Sequence, residues 1–332
     1  MVKVLVIGAA GYIGLHLSQQ LRRANHIVYG TTRSASKQAL LQANEIIPIV
    51  GPIEVDHHQP AAWLEAIKTE NIEVVIDLAS LPNTAKVILE PVIRLSKERQ
   101  SAHLPKIGFI YCSGMWVHGS SLNLTSDLVP VGTKTSPFQP PDFVRWRPEI
   151  EHQVLASYEH LNAAIIRPSV VYGGTGRGTW DIYFSQIFQD IQNNKASISL
   201  PADPDCVLAL VHVDDVASAF VAAVGKLELV SGHKDSYPVF DVSTSHESLA
   251  LILQRFATEM GYKGKVELTG VPEGNGMLEL RLQAFNTSVN IGSTRAKTML
   301  GWTPTMIGMA AGIQIYAKSW LGGFLEQQHL AK

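Results

Sequence analysis

The chain has 332 residues, 46% of them apolar and 17% charged, with a formal net charge of −2. That balance belongs to a globular protein with one large domain, or one domain carrying a smaller lobe, and excludes a disordered chain. There is no basic excess to favour nucleic acid, and the apolar runs are strand-length, far short of the roughly 20 residues that span a bilayer. The chain opens on "MVKVLVIG", a first strand with no signal-peptide core before it, and its two cysteines, Cys112 and Cys206, fit a reducing cytosol. A cytoplasmic location is therefore expected.

In chain order, "KVLVI" (Lys3–Ile7) is followed by a helix with Ile13, Leu17 and Leu21 spaced at four residues. Further strands are expected at "HIVYG" from His26, "EIIPIV" from Glu45, "EVVIDLA" from Glu73, "IGFIYCS" from Ile107 and "AAIIRPSVVYG" from Ala163. These β-branched runs barely alternate, as parallel strands buried on both faces require. Helical patterns separate them at Ala61–Thr69, Thr84–Glu98 and Pro148–His160, and "DHHQ" at Asp56–Gln59 reads as a polar loop, not a metal site. Repeated βα units of these lengths predict an α/β fold: a Rossmann-type doubly wound parallel sheet. Gly119–Asp142, rich in Ser, Thr, Gly and Pro, reads as a lid over the site. Beyond Tyr172 come a helix at Thr179–Gln192, a return strand "VLALVHV" (Val207–Val213) and a helix at Asp214–Val224. From His246 the chain is mostly helical. The expected division is a dinucleotide-binding core (residues 1–172 with 207–244) and a smaller, mostly helical C-terminal substrate lobe (173–206 with 245–332).

"VLVIGAAGYIG" places Gly8, Gly11 and Gly14 between a buried strand and a helix. The first glycine permits a tight turn, the second lets the backbone approach a pyrophosphate, and the third lets helix pack on strand. An NAD site usually carries an acidic residue about 20 positions further on, bonding the ribose 2′-hydroxyl. This chain has no acidic residue before Glu45; its second strand ends in "GTTRSASK", placing Arg33, Ser34 and Lys37 there. An available guanidinium without a competing carboxylate predicts NADP(H) in preference to NAD(H).

"GAAGYIG", "VVIDLAS", "FIYCSGMWVHG", "IIRPSVVYG", "LVHVDDVASAFVAAV" and "STRAKTMLGWTP" occur in an order and at distances that resemble the extended short-chain dehydrogenase/reductases, of the NAD-dependent epimerase/dehydratase type. The resemblance runs from Met1 to about Thr305. It implies that Tyr12 and Ile13 join the glycines around the cofactor and that Leu78, Ala79 and Ser80 pass near its ribose. Pro168, Ser169 and Val171 would run beside the nicotinamide. The family's "G-D-L" after the third strand is here Gly51, Pro52 and Ile53, so Ile53 contributes only backbone and packing to the adenine.

The family's active site pairs a Ser or Thr after the fifth strand with a Tyr-x-x-x-Lys helix, in which the lysine's charge lowers the phenol's pKa. Carried over by motif, Gly114 stands at the Ser position, Phe143 at the Tyr and Arg147 at the Lys. No Tyr-x-x-x-Lys exists elsewhere in the chain. Arg147 can bond ribose hydroxyls but cannot serve as a base, and Phe143 has no proton to give. Loss of a positioned proton donor costs about 10²–10⁴ in rate. The candidate catalytic residues are therefore Arg147, Ser113 and His118. The expected activity is an NADP(H)-dependent oxidoreductase acting on a small carbonyl, enone or imine by another proton route. Two alternatives stand beside it: a non-redox isomerase or cyclase with structural NADP, or a catalytically inactive dinucleotide-sensing protein. Nucleotide-sugar epimerisation is disfavoured because it relies on the missing tyrosine. The expected partner is a small molecule, with neither nucleic acid nor membrane, and the family commonly forms a homodimer through helices corresponding to Thr84–Glu98 and Pro148–His160.

Overall fold

A computed structural model describes residues 1–54, 61–175 and 178–330, without the side chains of the last four. The Asp56–Gln59 stretch lies outside the described residues. In chain order the strands are β1 (Lys3–Ile7), β2 (Ile27–Thr32), β3 (Ile47–Val50), β4 (Val74–Asp77), β5 (Ile107–Cys112), β6 (Ser121–Ser126) and β7 (Leu161–Pro168). They continue with β8 (Val170–Tyr172), β9 (Ile198–Leu200), β10 (Val207–His212), β11 (Val239–Val242), β12 (Ser245–Ser248), β13 (Val266–Leu268) and β14 (Val289–Gly292). The helices begin with α1 (Tyr12–Arg23), α2 (Gln38–Ala43), α3 (Ala62–Thr69), α4 (Glu90–Ser101) and α5 (Arg147–Ala156). Then come α6 (Asp181–Gln192), α7 (Val213–Val230), α8 (Leu249–Glu259), α9 (Met277–Phe285), α10 (Thr294–Leu300) and α11 (Ile313–Leu330).

Seven strands form one parallel sheet in the order β11-β7-β5-β4-β1-β2-β3. Every residue of β4 and β5 is buried, which is why their sequences do not alternate. The edge strand β3 differs: Ile47 and Val50 are exposed, and Pro48, which lacks an N–H, is tolerated there because the outer side of β3 pairs with nothing in the sheet. One face packs Leu17 and Leu21 of α1 with Val216 and Phe220 of α7; the other packs Trp63 of α3, Leu95 of α4 and Val154 of α5. The strand order reverses between β1 and β4, which opens a crevice at their carboxyl ends.

The remaining chain is built on an aromatic core. Phe184 stacks on Phe256 with ring centroids 3.7 Å apart, and Trp320 meets both rings edge-on. Strand β10, which was expected to return to the large sheet, instead lies between β8 and β12 in a small separate sheet. Leu208, Ala209 and Leu210 join the aromatic core, while α7 directly after it packs on the large sheet. Within residues 207–244, β10 and α7 thus pack on different cores.

The segment Gly119–Asp142, expected to act as a lid, is a strap. Its strand β6 pairs in parallel with β14, and Asp127 behind it is buried, accepts a hydrogen bond from the Asp241 backbone and pairs with Arg295. The stretch that begins at Phe143 also differs from a continuous helix. Asp142–Val144 forms a short 3₁₀ turn, and α5 starts only at Arg147, where Pro148 fits the first turn without losing a helical hydrogen bond. Among the described residues no helix is long and apolar enough to cross a membrane.

Candidate active site

Two adjoining cavities occupy the crevice, and Leu78 lines both. The first lies along the glycine turn and the end of β2. Gly8 adopts φ +89°, a left-handed conformation that a side chain would strain. A Cβ on Gly14 would come within 2.0 Å of the Gly8 carbonyl oxygen, so only glycine lets α1 pack this close to the turn. Gly11 caps α1 with no side-chain bond, and the first turn contains no acidic residue. The N-terminal amides of α1 are thus left to an anion. Gly8, Gly11, Arg33, Ser34, Ile53 and Ala79 all line this cavity, as the sequence led one to expect. Thr31 and Lys37 also belong to it: Thr31 Oγ1 accepts from the Gly8 amide at 2.9 Å, and Lys37 Nζ reaches the Ala10 carbonyl at 3.3 Å. Glu54 is the one carboxylate among its described lining residues.

The second cavity, about 210 Å³, sits over the ends of β1, β4, β5 and β7. Tyr12, Ile13, Leu78, Ser80, Ser113, Gly114, Arg147, Pro168, Ser169 and Val171 line it. Arg147 is fixed by the turn after β4. Asp77, fully buried, accepts from Thr84 Oγ1 at 2.7 Å and from the Ala79 amide at 2.9 Å, which ties that turn down. Burial pushes the Asp77 carboxyl up, against these two bonds and the charge of Arg147. Ser80, at φ +56°, is held in the left-handed region and accepts a hydrogen bond from Arg147 Nη2. Arg147 Nη1 donates to the Cys112 carbonyl at 3.1 Å. One turn along α5, Glu151 takes Arg167 of β7 in a fully buried two-point pair, with Nε 3.0 Å from the carboxylate. That pair fixes the rotation of α5 and so turns Arg147 to the cavity.

Three candidates line neither cavity. Phe143 lies in the turn before α5 with its ring edge-on to Trp116 at 6.4 Å; Val144, next to it, reaches the cavity. His118 is buried away from the cavity, its Nε2 2.9 Å from Asp241 Oδ2 on β11. It anchors the turn after β5 to β11. Gly14 packs beneath the glycine turn and lines neither cavity. Ser113, by contrast, is at the cavity wall with its Oγ buried and without a hydrogen-bond partner, as are Ser169 Oγ and Trp116 Nε1. Tyr12 donates its hydroxyl to the Gly173 carbonyl at 2.7 Å, and burial raises its pKa, so that proton is held firmly. Cys112 is likewise pushed up to about 12 by burial, despite the nearby Arg147, and stays a neutral thiol. Sequence reasoning missed Cys112, Val144, Gly178 and Thr179 as wall residues. The last two come from the aromatic lobe and carry no local motif.

A model of the NAD dependent epimerase/dehydratase family matches residues 4–93, which span β1 to the start of α4. UDP-glucuronate 4-epimerase 4 of Arabidopsis thaliana is 24% identical, covering 92% of this chain and 72% of that protein. Among solved structures, dTDP-glucose 4,6-dehydratase from Bacillus anthracis str. Ames, in complex with NAD, superposes with a TM-score of 0.71 at 16% identity, covering 97% of each chain. UDP-glucuronic acid 4-epimerase from Bacillus cereus, in complex with UDP-glucuronic acid and NAD, gives 0.66 at 20%, covering 96% of this chain and 99% of that one. With the sheet order and the glycine turn, these likenesses show a Rossmann-type fold shared along the chain with solved NAD-bound enzymes, and a resemblance of residues 4–93 to the NAD dependent epimerase/dehydratase family.

Proposed function

We propose that the protein is an NADP(H)-dependent oxidoreductase acting on a small organic carbonyl, enone or imine. A nicotinamide dinucleotide is supported by the left-handed Gly8 turn, the uncapped amides of α1 and the NAD carried by the similar solved structures named above. The observation that carries the choice of NADP(H) is the pair of cations at the end of β2. Arg33 and Lys37 line the first cavity beside Ser34, and β2 ends in Thr31 and Thr32 where a carboxylate would bond a 2′-hydroxyl. Among the described lining residues the two cations outnumber one carboxylate, Glu54, which favours a 2′-phosphate there.

When bound, the cofactor supplies a hydride to an aligned acceptor. The chain's own residues would do the rest. Arg147, held by Ser80 and Cys112, would bond ribose hydroxyls and supply a fixed positive charge there. Pro168, Ser169 and Val171 would hold the nicotinamide, and Ser113 would offer its hydroxyl to the substrate. With Phe143 in place of a phenol and His118 withdrawn, the family's proton route does not operate here, and a UDP-sugar epimerase reaction, which uses it, is not the reading we favour.

A fluorescence titration tests this reading. NADPH is expected to bind at least about tenfold more tightly than NADH, the worth of one charge-assisted contact, and Arg33→Ala should abolish that preference. Equal or tighter binding of NADH would reverse the cofactor assignment. Failure of the protein to oxidise NADPH with any member of a ketone, enone and imine panel would reverse the oxidoreductase assignment.

A further inference from the structure

The second cavity contains an unexplained donor set. Ser113 Oγ, Ser169 Oγ and Trp116 Nε1 are buried and have no partner, although the two serines are only 5% and 4% exposed. Among the described residues ten buried side-chain polar atoms lack a partner, and these three are the ones whose residues line this cavity, where a ligand can complete them. Under the reading above, Ser169 belongs to the nicotinamide side with Pro168 and Val171. Ser113 and Trp116 lie in the turn after β5 and remain for the substrate.

We infer that Trp116 is a specificity-determining residue: its indole N–H, together with the Ser113 hydroxyl, reads the single acceptor group of a small, uncharged, largely apolar substrate. This rests on the dinucleotide reading of the same site. The chemistry of the acceptor follows from the indole, which donates and never accepts; a carbonyl satisfies it and a bare hydrocarbon does not. The position of the donor is fixed. Gly114 and Met115 enter a 3₁₀ turn, His118 ties its far end to Asp241, and the Phe143 ring meets the indole edge-on at 6.4 Å. Phe143 thereby serves the substrate indirectly, as the positioning contact for Trp116.

Size and charge define the rest of the substrate. The cavity, about 210 Å³, is below the roughly 300–1,000 Å³ of ordinary ligand sites, and a nicotinamide ring takes part of it. What remains encloses only a compact reacting group. Ile13, Met115, Val144 and Val170 make the wall largely apolar. Arg147 is the only charged side chain among the described residues lining it, and it already donates to Cys112 and Ser80. A substrate carboxylate would have to compete for it.

The test uses the full chain saturated with NADPH and benzamide as a neutral, non-reducible carbonyl probe, followed by calorimetry. Ethylbenzene, benzoate and UDP-glucose are the comparison ligands. Benzamide should bind best. Trp116→Phe, which keeps the ring and the Phe143 contact, should weaken benzamide by about tenfold and leave ethylbenzene within about twofold, the signature of one lost hydrogen bond. Ser113→Ala should act in the same direction. A structural defect would instead weaken both ligands alike, and that result would overturn the assignment. Tighter binding of benzoate or UDP-glucose than of benzamide would overturn it too. If NADPH binds and benzamide does not, this inference fails while the cofactor reading stands. If NADPH does not bind, both fail.

Discussion

The sequence resemblance sets Phe143 and Arg147 at the positions of a proton donor and a lysine, and the structure separates their fates. Arg147 reaches the cavity because the Glu151–Arg167 pair sets the rotation of its helix. Phe143, in the turn before that helix, packs against Trp116 and leaves Val144 at the wall. A hydroxyl on the Phe143 ring would therefore not recreate the missing donor. Phe143→Tyr is expected to leave NADPH oxidation with a panel of simple ketones at the wild-type rate, within about twofold, whereas restoring a positioned acid is worth about 10²–10⁴. A gain of that size would show that the ring does reach the reacting carbonyl. At this scale the sequence was legible where chemistry is local. Gly8, Arg33, Ser113 and Arg147 could be placed from their motifs. His118 could not, because its partner Asp241 lies 123 residues away and meets it only once β11 has joined the sheet.

The βα units of the first half follow from their sequence pattern because each buries its own apolar stripe. The expected Ala61–Thr69 helix appears as α3, and Pro148–His160 appears as α5 with a following 3₁₀ turn. The β10 strand itself was legible, but its sheet membership and the pairing of the strap were not, since pairing with distant partners leaves no local trace in a Ser- and Thr-rich strand such as β6 or an apolar one such as β10. The contact between α1 and its turn is the element-scale feature most exposed to mutation. The Cβ of Gly14→Ala would meet Gly8 O at 2.0 Å, Gly8 C at 2.8 Å and Ala9 Cα at 2.9 Å, all backbone atoms that cannot rotate away. The helix must lift from β1. Overpacking of this kind costs about 1–3 kcal/mol. Gly14→Ala is expected to lower the urea midpoint accordingly and to abolish NADPH binding at concentrations that saturate the wild type, because the α1 amides move with the helix. A variant of unchanged stability that still binds NADPH would show that the turn can relax.

At the scale of the molecule, one buried cluster holds the strap to the far edge of the sheet. Asp127 accepts from the Asp241 amide at 3.2 Å and lies 3.3 Å from Arg295 Nε, while Asp241 also receives His118 and sits 3.7 Å from Arg167. Strap, β11, the turn below the cavity and α10 thus share one set of charges. Burial, and then repulsion from Asp241, raise the Asp127 carboxyl to about 6, against the pull of the backbone N–H and of Arg295 and Arg167. A carboxyl raised on folding holds its proton more tightly in the folded chain. The stabilisation this gives is complete below the ordinary value near 4 and is lost as pH climbs through about 6. Asp127→Asn keeps an oxygen to accept from Asp241 and removes the titration. Relative to wild type, its thermal stability should therefore improve between pH 4 and pH 7, by on the order of 1–2 kcal/mol once solvent screening is allowed for. Scanning calorimetry at several pH values measures this directly. A wild-type-minus-variant difference that stays flat across that window would mean that Asp127 is already ionised at pH 4, and that Arg295 outweighs burial and the second carboxylate in holding the strap.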